Sequence, residues 1–335
     1  MDGAVALDCS DLKGRRLLNL DSEEEGVFTV SCAGGLRADC FVPAVKEPLT
    51  DEACFAVSIG GLKGGHSGAE IDKGRGSGND LISRVLYSAM ERLGTLRIAD
   101  LRGGQFDNVI CTRCDAVVAV PAGKAEDFAA FIREFDGILK NEYAATDGGV
   151  TLTCAAADAD AAYSAEDSSR LLHVLLTLPQ GVEVMSADFP GLVQTSLNLG
   201  VMTACGDGLH FSFSIRSSVA TQKELLLQRV RAIVEYTGGG TVSTRGDYPA
   251  WQYARQSPLR DTVMASYKQI TGQDGVIMAT HGGLECGLLI NKMPGLDAVS
   301  LGPELHDIHS PRERLGVDSV KRMYALVCEV LKNCR

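Results

Sequence analysis

Between residues 55 and 236 the sequence runs strand, helix, strands, helix, and then takes the same order again. No other feature restricts its fold as tightly, because an alternating order of strand-like and helix-like segments is how α/β and α+β chains read. Strand-like runs fall at 55–59, 109–120, 150–155, 192–203 and 209–216, with two more at 275–279 and 298–301. A helix is predicted over 223–236, where Leu226, Leu227, Val230, Ile233 and Val234 share one face and Gly238 to Gly240 stop it. A second begins at Ser257-Pro258, an N-cap and N1 pair, and ends near Gly272. A third covers 317–331, with Val320, Tyr324, Val327 and Leu331 at helical spacing. The letters of the two halves do not repeat, so only the order of elements suggests one lobe used twice.

Residues 1–42 and 247–335 hold most of the acidic and histidine-bearing loops. The expectation is therefore an α/β fold in which a discontinuous domain, 1–42 and 247–335, is interrupted by an inserted two-lobed α+β domain, 43–246. With 335 residues, 45% of them hydrophobic, the chain can fill two cores, since single cores stop growing at roughly 250 residues.

A formal charge of -11 argues against nucleic acid as a partner, because that backbone is bound by clustered Lys and Arg. No run nears the roughly 20 apolar residues of a membrane helix, and Met1 is followed by Asp2 rather than by a basic and apolar leader. A cytoplasmic chain without membrane attachment is expected. The eleven cysteines are odd in number and sit in apolar segments, as small buried thiols do in a reducing compartment.

Several segments could carry chemistry. Asn19-Leu20-Asp21-Ser22-Glu23-Glu24-Glu25-Gly26 follows the apolar Leu17-Leu18, so its carboxylates lie at the end of a short strand, where open α/β sheets place their sites. It reads as a cation-binding loop or as a solvated acidic turn. The segment 301–311 puts His306, His309, Glu304 and Asp307 in one loop after another strand. Imidazole with carboxylate suits zinc, manganese or cobalt, though a histidine pair in a loop is often ordinary. Glycines surround His66 in 60–68, letting backbone approach a ligand, but neither a Walker pattern nor a dinucleotide fingerprint is present. Thr280-His281-Gly282-Gly283-Leu284-Glu285-Cys286-Gly287 is a tight turn that displays a histidine and a glutamate. Cys111 and Cys114 form a C-x-x-C with no second pair to complete a zinc ribbon. Asn198 lies mid-strand and Arg216 ends a strand; each reads equally as strand-edge polarity.

Taken together, Gly-Gly-Leu-Lys-Gly-Gly-His-Ser-Gly at 60–68, the acidic run at 19–26, His-Gly-Gly-Leu-Glu-Cys-Gly at 281–287 and His-Ser-Pro-Arg-Glu at 309–313 resemble the aminoacyl-histidine dipeptidases of metallopeptidase family M20. Four motifs in order over nearly the whole chain carry the resemblance. It implies an α/β catalytic domain holding two divalent metal ions (zinc, or manganese or cobalt), interrupted by a lid, and a homodimer is possible. Asp21 and His309 then correspond to metal ligands. His66 corresponds to the lid histidine that meets the scissile carbonyl, Asn198 and Arg216 to substrate-holding positions, and Glu285 to substrate-pocket wall. The implied substrate is a dipeptide ending in histidine, and the implied reaction is attack by a metal-activated water.

The family's His-x-Asp motif, bridging aspartate and Glu-Glu pair have no counterpart before residue 42. The resemblance therefore implies a chain that carries two metal ligands and lacks the general base, and so binds metal weakly and hydrolyses little by itself. The alternatives are a non-catalytic lid or dimerisation module, or an M20 amidohydrolase acting on another amide.

Overall fold

A computed structural model describes residues 2–308 and 310–334. The main strands are β1 (Arg16–Asn19), β2 (Val27–Cys32), β3 (Gly34–Pro43), β4 (Glu52–Gly60), β5 (Arg97–Gly103), β6 (Cys114–Pro121), β7 (Thr151–Ala157), β8 (Val193–Ala204), β9 (Gly208–Ser217), β10 (Thr241–Tyr248), β11 (Val276–Thr280) and β12 (Asp297–Ser300). The main helices are α1 (Gly78–Leu93), α2 (Ala125–Glu142), α3 (Ala165–Thr177), α4 (Ala220–Arg231), α5 (Pro258–Thr271), α6 (Glu285–Lys292) and α7 (Val317–Asn333).

The larger sheet has the order β7-β4-β6-β5-β8-β9-β3-β10, with the strand Gly181–Met185 added on β8. Two lobes are legible in it. In the first, β4-α1-β5-β6-α2-β7 gives the spatial order fourth, first, third, second. In the second, β3, α3-β8-β9 and α4-β10 repeat that order, which is the split βαβ arrangement. The lobes join through the second strand of each, where Gly103 and Arg102 of β5 pair antiparallel with Met202 and Thr203 of β8.

The doubling expected from the element order is thus present, with one difference. The second lobe's first strand is β3, which precedes the whole first lobe and belongs to the large sheet although the sequence reading left residues up to 42 outside it. Residues 27–43 read as strand throughout, apolar residues interspersed with Thr29, Ser31, Arg37 and Asp39, and only the pair Gly34-Gly35 marks the change of sheet. The change is made at Gly34, where a Cβ would stand 2.5 Å from the Ala250 nitrogen of the returning chain. Cys32 and Trp251 exchange two backbone hydrogen bonds of 3.0 Å at this crossing.

Alternation along β8 and β9 decides which face does what. Leu197, Leu199, Leu209, Phe211, Phe213 and Ile215 point into a single core shared with α1, α2, α3 and α4. Their neighbours Ser196, Asn198, Ser214 and Arg216 are thereby turned to the opposite face. The smaller sheet, β1-β12-β2-β11, packs Phe28, Val299 and Leu301 against Leu259 and Val263 of α5 and Met323, Leu326 and Val330 of α7. Ser257 caps α5 by accepting from the Arg260 N–H at 3.0 Å, Pro258 is its first residue, and Gly272 ends it at φ 73°. No helix among the described residues is long and apolar enough to cross a membrane.

Candidate active site

Two neighbouring regions hold the polar residues singled out by sequence. The first is a cleft of about 390 Å³ at the end of the smaller sheet, lined by Asp21, Glu23, Glu24, Thr280 and Glu304 among others. The β1 and β12 strands run parallel, so the loops that leave them meet here. Asn19 donates to the Ser300 hydroxyl at 3.0 Å, and Ser22 and Ser300 share a hydrogen bond of 2.8 Å. The Glu25 N–H donates to Glu304 at 3.1 Å, and the Leu305 N–H to the Glu23 carbonyl at 2.9 Å. Glu25 itself faces away, held by Nε and Nη2 of Arg322 at 2.6 Å each, which keep its carboxyl below the usual range.

Asp21 is exposed in this cleft, and His309 lies outside the described residues. A tetrahedral metal takes three or four protein ligands, and among the described residues no three carboxylate, imidazole or thiol groups converge around Asp21. The described part of the cleft therefore does not fit a complete metal site.

The second region lies on the helix-free face of β8 and β9. Ser196 stands opposite Arg216 in the ladder, and Asn198 opposite Ser214. Arg216 is 8% exposed, yet among the described residues the only hydrogen bond of its side chain is to the Tyr248 hydroxyl, 3.2 Å away; its Nε has no partner and no carboxylate pairs with it. Asn198 is fully buried: its amide nitrogen donates to the Asp107 and Val109 carbonyls, both at 2.9 Å, and its Oδ1 has no donor among the described residues. Buried polar atoms without partners are costly unless something arrives to meet them.

His66 comes over this face on the glycine-rich loop. Its Nδ1 accepts from the Gly68 and Ala69 N–H groups at 3.2 Å each, so the neutral ring carries its proton on Nε2 and presents that N–H outward. Burial and the nearby Arg216 charge hold its pKa below that of a free histidine, against the opposing pull of Glu70. Structure therefore brings together His66, Asn198 and Arg216 from three separate segments.

His281, noted in sequence only as part of its turn, joins the two regions. It follows Thr280, a wall of the acidic cleft, and its Nε2 lies 2.7 Å from the Ser196 hydroxyl while its Nδ1 has no partner among the described residues. Burial, with the Arg216 charge, pushes its pKa down to about 4, so it is neutral at pH 7. Glu285 is half-buried in the first turn of α6 and is not a wall of the acidic cleft. Tyr248 carried no sequence signal, lying in a polar edge strand. Cys111 and Cys114 are both buried, and burial raises both thiols above the usual range, which makes them unreactive.

Comparison with known proteins matches this architecture. The peptidase dimerisation domain of the M20 family matches residues 57–147, most of the first lobe. The chain is 34% identical over 334 residues to the cytosol non-specific dipeptidase of Escherichia coli (strain K12), an alignment that takes in 99% of this chain and 68% of that protein. The crystal structure of aminoacylhistidine dipeptidase from Vibrio alginolyticus superposes with a TM-score of 0.93 at 31% identity, over 99% of this chain and 68% of the other. A relative this similar over this much of both chains is decisive: the chain belongs to the aminoacyl-histidine, or cytosol non-specific, dipeptidases of the M20 metallopeptidase family.

Proposed function

We propose that the chain binds dipeptides ending in histidine, with Arg216 receiving their C-terminal carboxylate. The observation that carries this reading is a buried guanidinium with no counter-ion among the described residues. Leaving a charge unpaired away from water is unfavourable by several kcal/mol, and a planar carboxylate returns two parallel charge-assisted hydrogen bonds. The unmet Nε is one of the donors available for that purpose.

Asn198 then accepts an N–H of the bound dipeptide at its free Oδ1. His66 points Nε2–H at the scissile carbonyl, whose oxygen gains negative charge as the tetrahedral state forms, so the hydrogen bond strengthens in the transition state. A neutral imidazole can serve as that donor without first binding a proton. Glu285, at the start of α6, contributes to the wall around the substrate.

The family reaction uses divalent metal to activate water. Asp21 and His309 are the ligands we assign to this chain, and two do not make a site. The chain alone is accordingly expected to bind zinc, manganese or cobalt weakly and to release little histidine. The two-domain division, with the large sheet as lid over the acidic cleft, a possible homodimer and a cytoplasmic location belong to the same reading.

The test is histidine release from Gly-His and β-alanyl-His by the purified chain with each metal added, against His309→Ala. Turnover that disappears in the variant would show that the site is complete, contrary to this reading. Binding of Gly-His without turnover, lost when its carboxylate is replaced by carboxamide, supports it.

A further inference from the structure

We propose that Cys205, Asp207 and His210 bind a zinc-class divalent ion at the tip of the hairpin joining β8 to β9. Among the described residues this is the one group of three possible metal ligands whose donor atoms all lie within 4.8 Å of one another. The tip is far from the substrate face: Ala204 pairs with Leu209 at one end and Asn198 with Ser214 further along, a separation of about 20 Å at roughly 3.3 Å per residue. The site is therefore separate from the substrate face, and none of its three residues lines the acidic cleft.

The three groups are the right kind. Thiolate, imidazole and carboxylate together favour zinc or a similar borderline-soft ion over calcium or magnesium, with water in the fourth position. Asp207 Oδ1 and His210 Nε2 are 3.8 Å apart, against about 3.4 Å for two ligands each some 2.1 Å from a tetrahedral zinc. None of the three donor atoms is engaged in a hydrogen bond among the described residues.

The turn is also held in place without metal. The Tyr163 hydroxyl lies 2.6 Å from the Cys205 carbonyl and 2.7 Å from the Gly208 carbonyl, and accepts from the Cys205 N–H at 3.1 Å. The Asp207 carbonyl accepts from the Ala44 N–H at 3.0 Å. Gly208 has φ 151°, and a Cβ there would stand 2.2 Å from the Val42 carbonyl oxygen, so this backbone shape requires glycine. The His210 ring lies on Phe41 with centroids 4.6 Å apart. A loop fixed from below this way loses little freedom when an ion arrives, and the Cys205 thiol releases its proton as it becomes a ligand.

The experiment is titration of the reduced full chain with Co(II), read by the thiolate-to-cobalt charge-transfer absorption. One saturating Co(II) per chain with that band is expected, and the band should vanish in Cys205→Ser. His210→Ala should weaken binding at least tenfold. A band that survives in Cys205→Ser, or no thiolate band at any cobalt concentration, overturns the proposal. Should far-UV circular dichroism show Cys205→Ser unfolded, His210→Ala decides, and unchanged affinity there overturns it.

Discussion

The His66 imidazole and the Arg216 guanidinium both crowd the space above Gly68, so near that a Cβ on that glycine would stand 2.9 Å from His66 Cε1 and 3.2 Å from Arg216 Cζ. Glycine at this position lets a cation and a neutral hydrogen-bond donor face one small substrate. Gly68→Ala should therefore displace the His66 ring and weaken Gly-His binding by about tenfold, the effect of losing roughly 1.4 kcal/mol, with the melting temperature nearly unchanged. Calorimetric titration with Gly-His checks this, and equal affinities would separate the glycine from the binding face.

Arg216→Met removes an unpaired buried charge while keeping much of the side chain's volume. Its two expected effects have opposite signs: stability unchanged or raised, and dipeptide affinity reduced by ~10- to 100-fold, from charged hydrogen bonds worth about 1.5–3 kcal/mol. Thermal melts with and without Gly-His measure both. A variant that is destabilised and still binds would show Arg216 to be a structural residue.

His281 governs acid sensitivity. Its pKa falls to about 4 in the folded chain from 6.5, so below pH 6.5 the unfolded state takes up a proton that the folded state refuses. Stability should fall as pH drops from 6.5 towards 4, by roughly 3 kcal/mol in total at 1.36 kcal/mol per unit. His281→Gln should flatten that portion of the curve of melting temperature against pH. Parallel curves for the two proteins would remove His281 as the cause.

At the acidic cleft, a Cβ on Gly302 would lie 1.7 Å from the Ser22 carbonyl oxygen. Gly302→Ala must push the 19–26 and 301–305 loops apart, at a cost of about 1–3 kcal/mol. Denaturant melts give the magnitude, and hydrogen exchange at Ser22 and Leu305 should rise with it. A neutral substitution would mean that these loops are not in contact.

Much of the candidate site was legible because glycine, histidine and arginine are placed by local rules. Alternation along 192–203 and 209–216 turns Asn198 and Arg216 away from the apolar side chains of their own strands, the ladder register then brings them to one face, and the glycines around His66 mark a loop with unusual backbone. The contact between Ser196 and His281 was not legible, since it joins segments far apart in sequence and each looks ordinary alone. Nor was β10, which leaves nearly all its side chains exposed because it is an edge strand paired through backbone; without a buried face it has no apolar alternation. The strand β5 carries Arg97, Asp100 and Arg102 among its apolar residues, which breaks the run that would have announced it.

The placement of β3 bears on how the chain is made. Its partner strands in the large sheet are β9 and β10, so on the ribosome residues 34–43 emerge, the whole first lobe follows and can close on itself, and only then do residues 208–248 arrive. Until that moment an apolar strand with both edges bare must wait in solution. Loop closure over so long a span is slow, and unpaired strands are where chains associate wrongly. Order of synthesis thus predicts a stage with one finished lobe and one unpaired strand, and refolding from denaturant should show a fast phase for the first lobe followed by a slower, concentration-sensitive one.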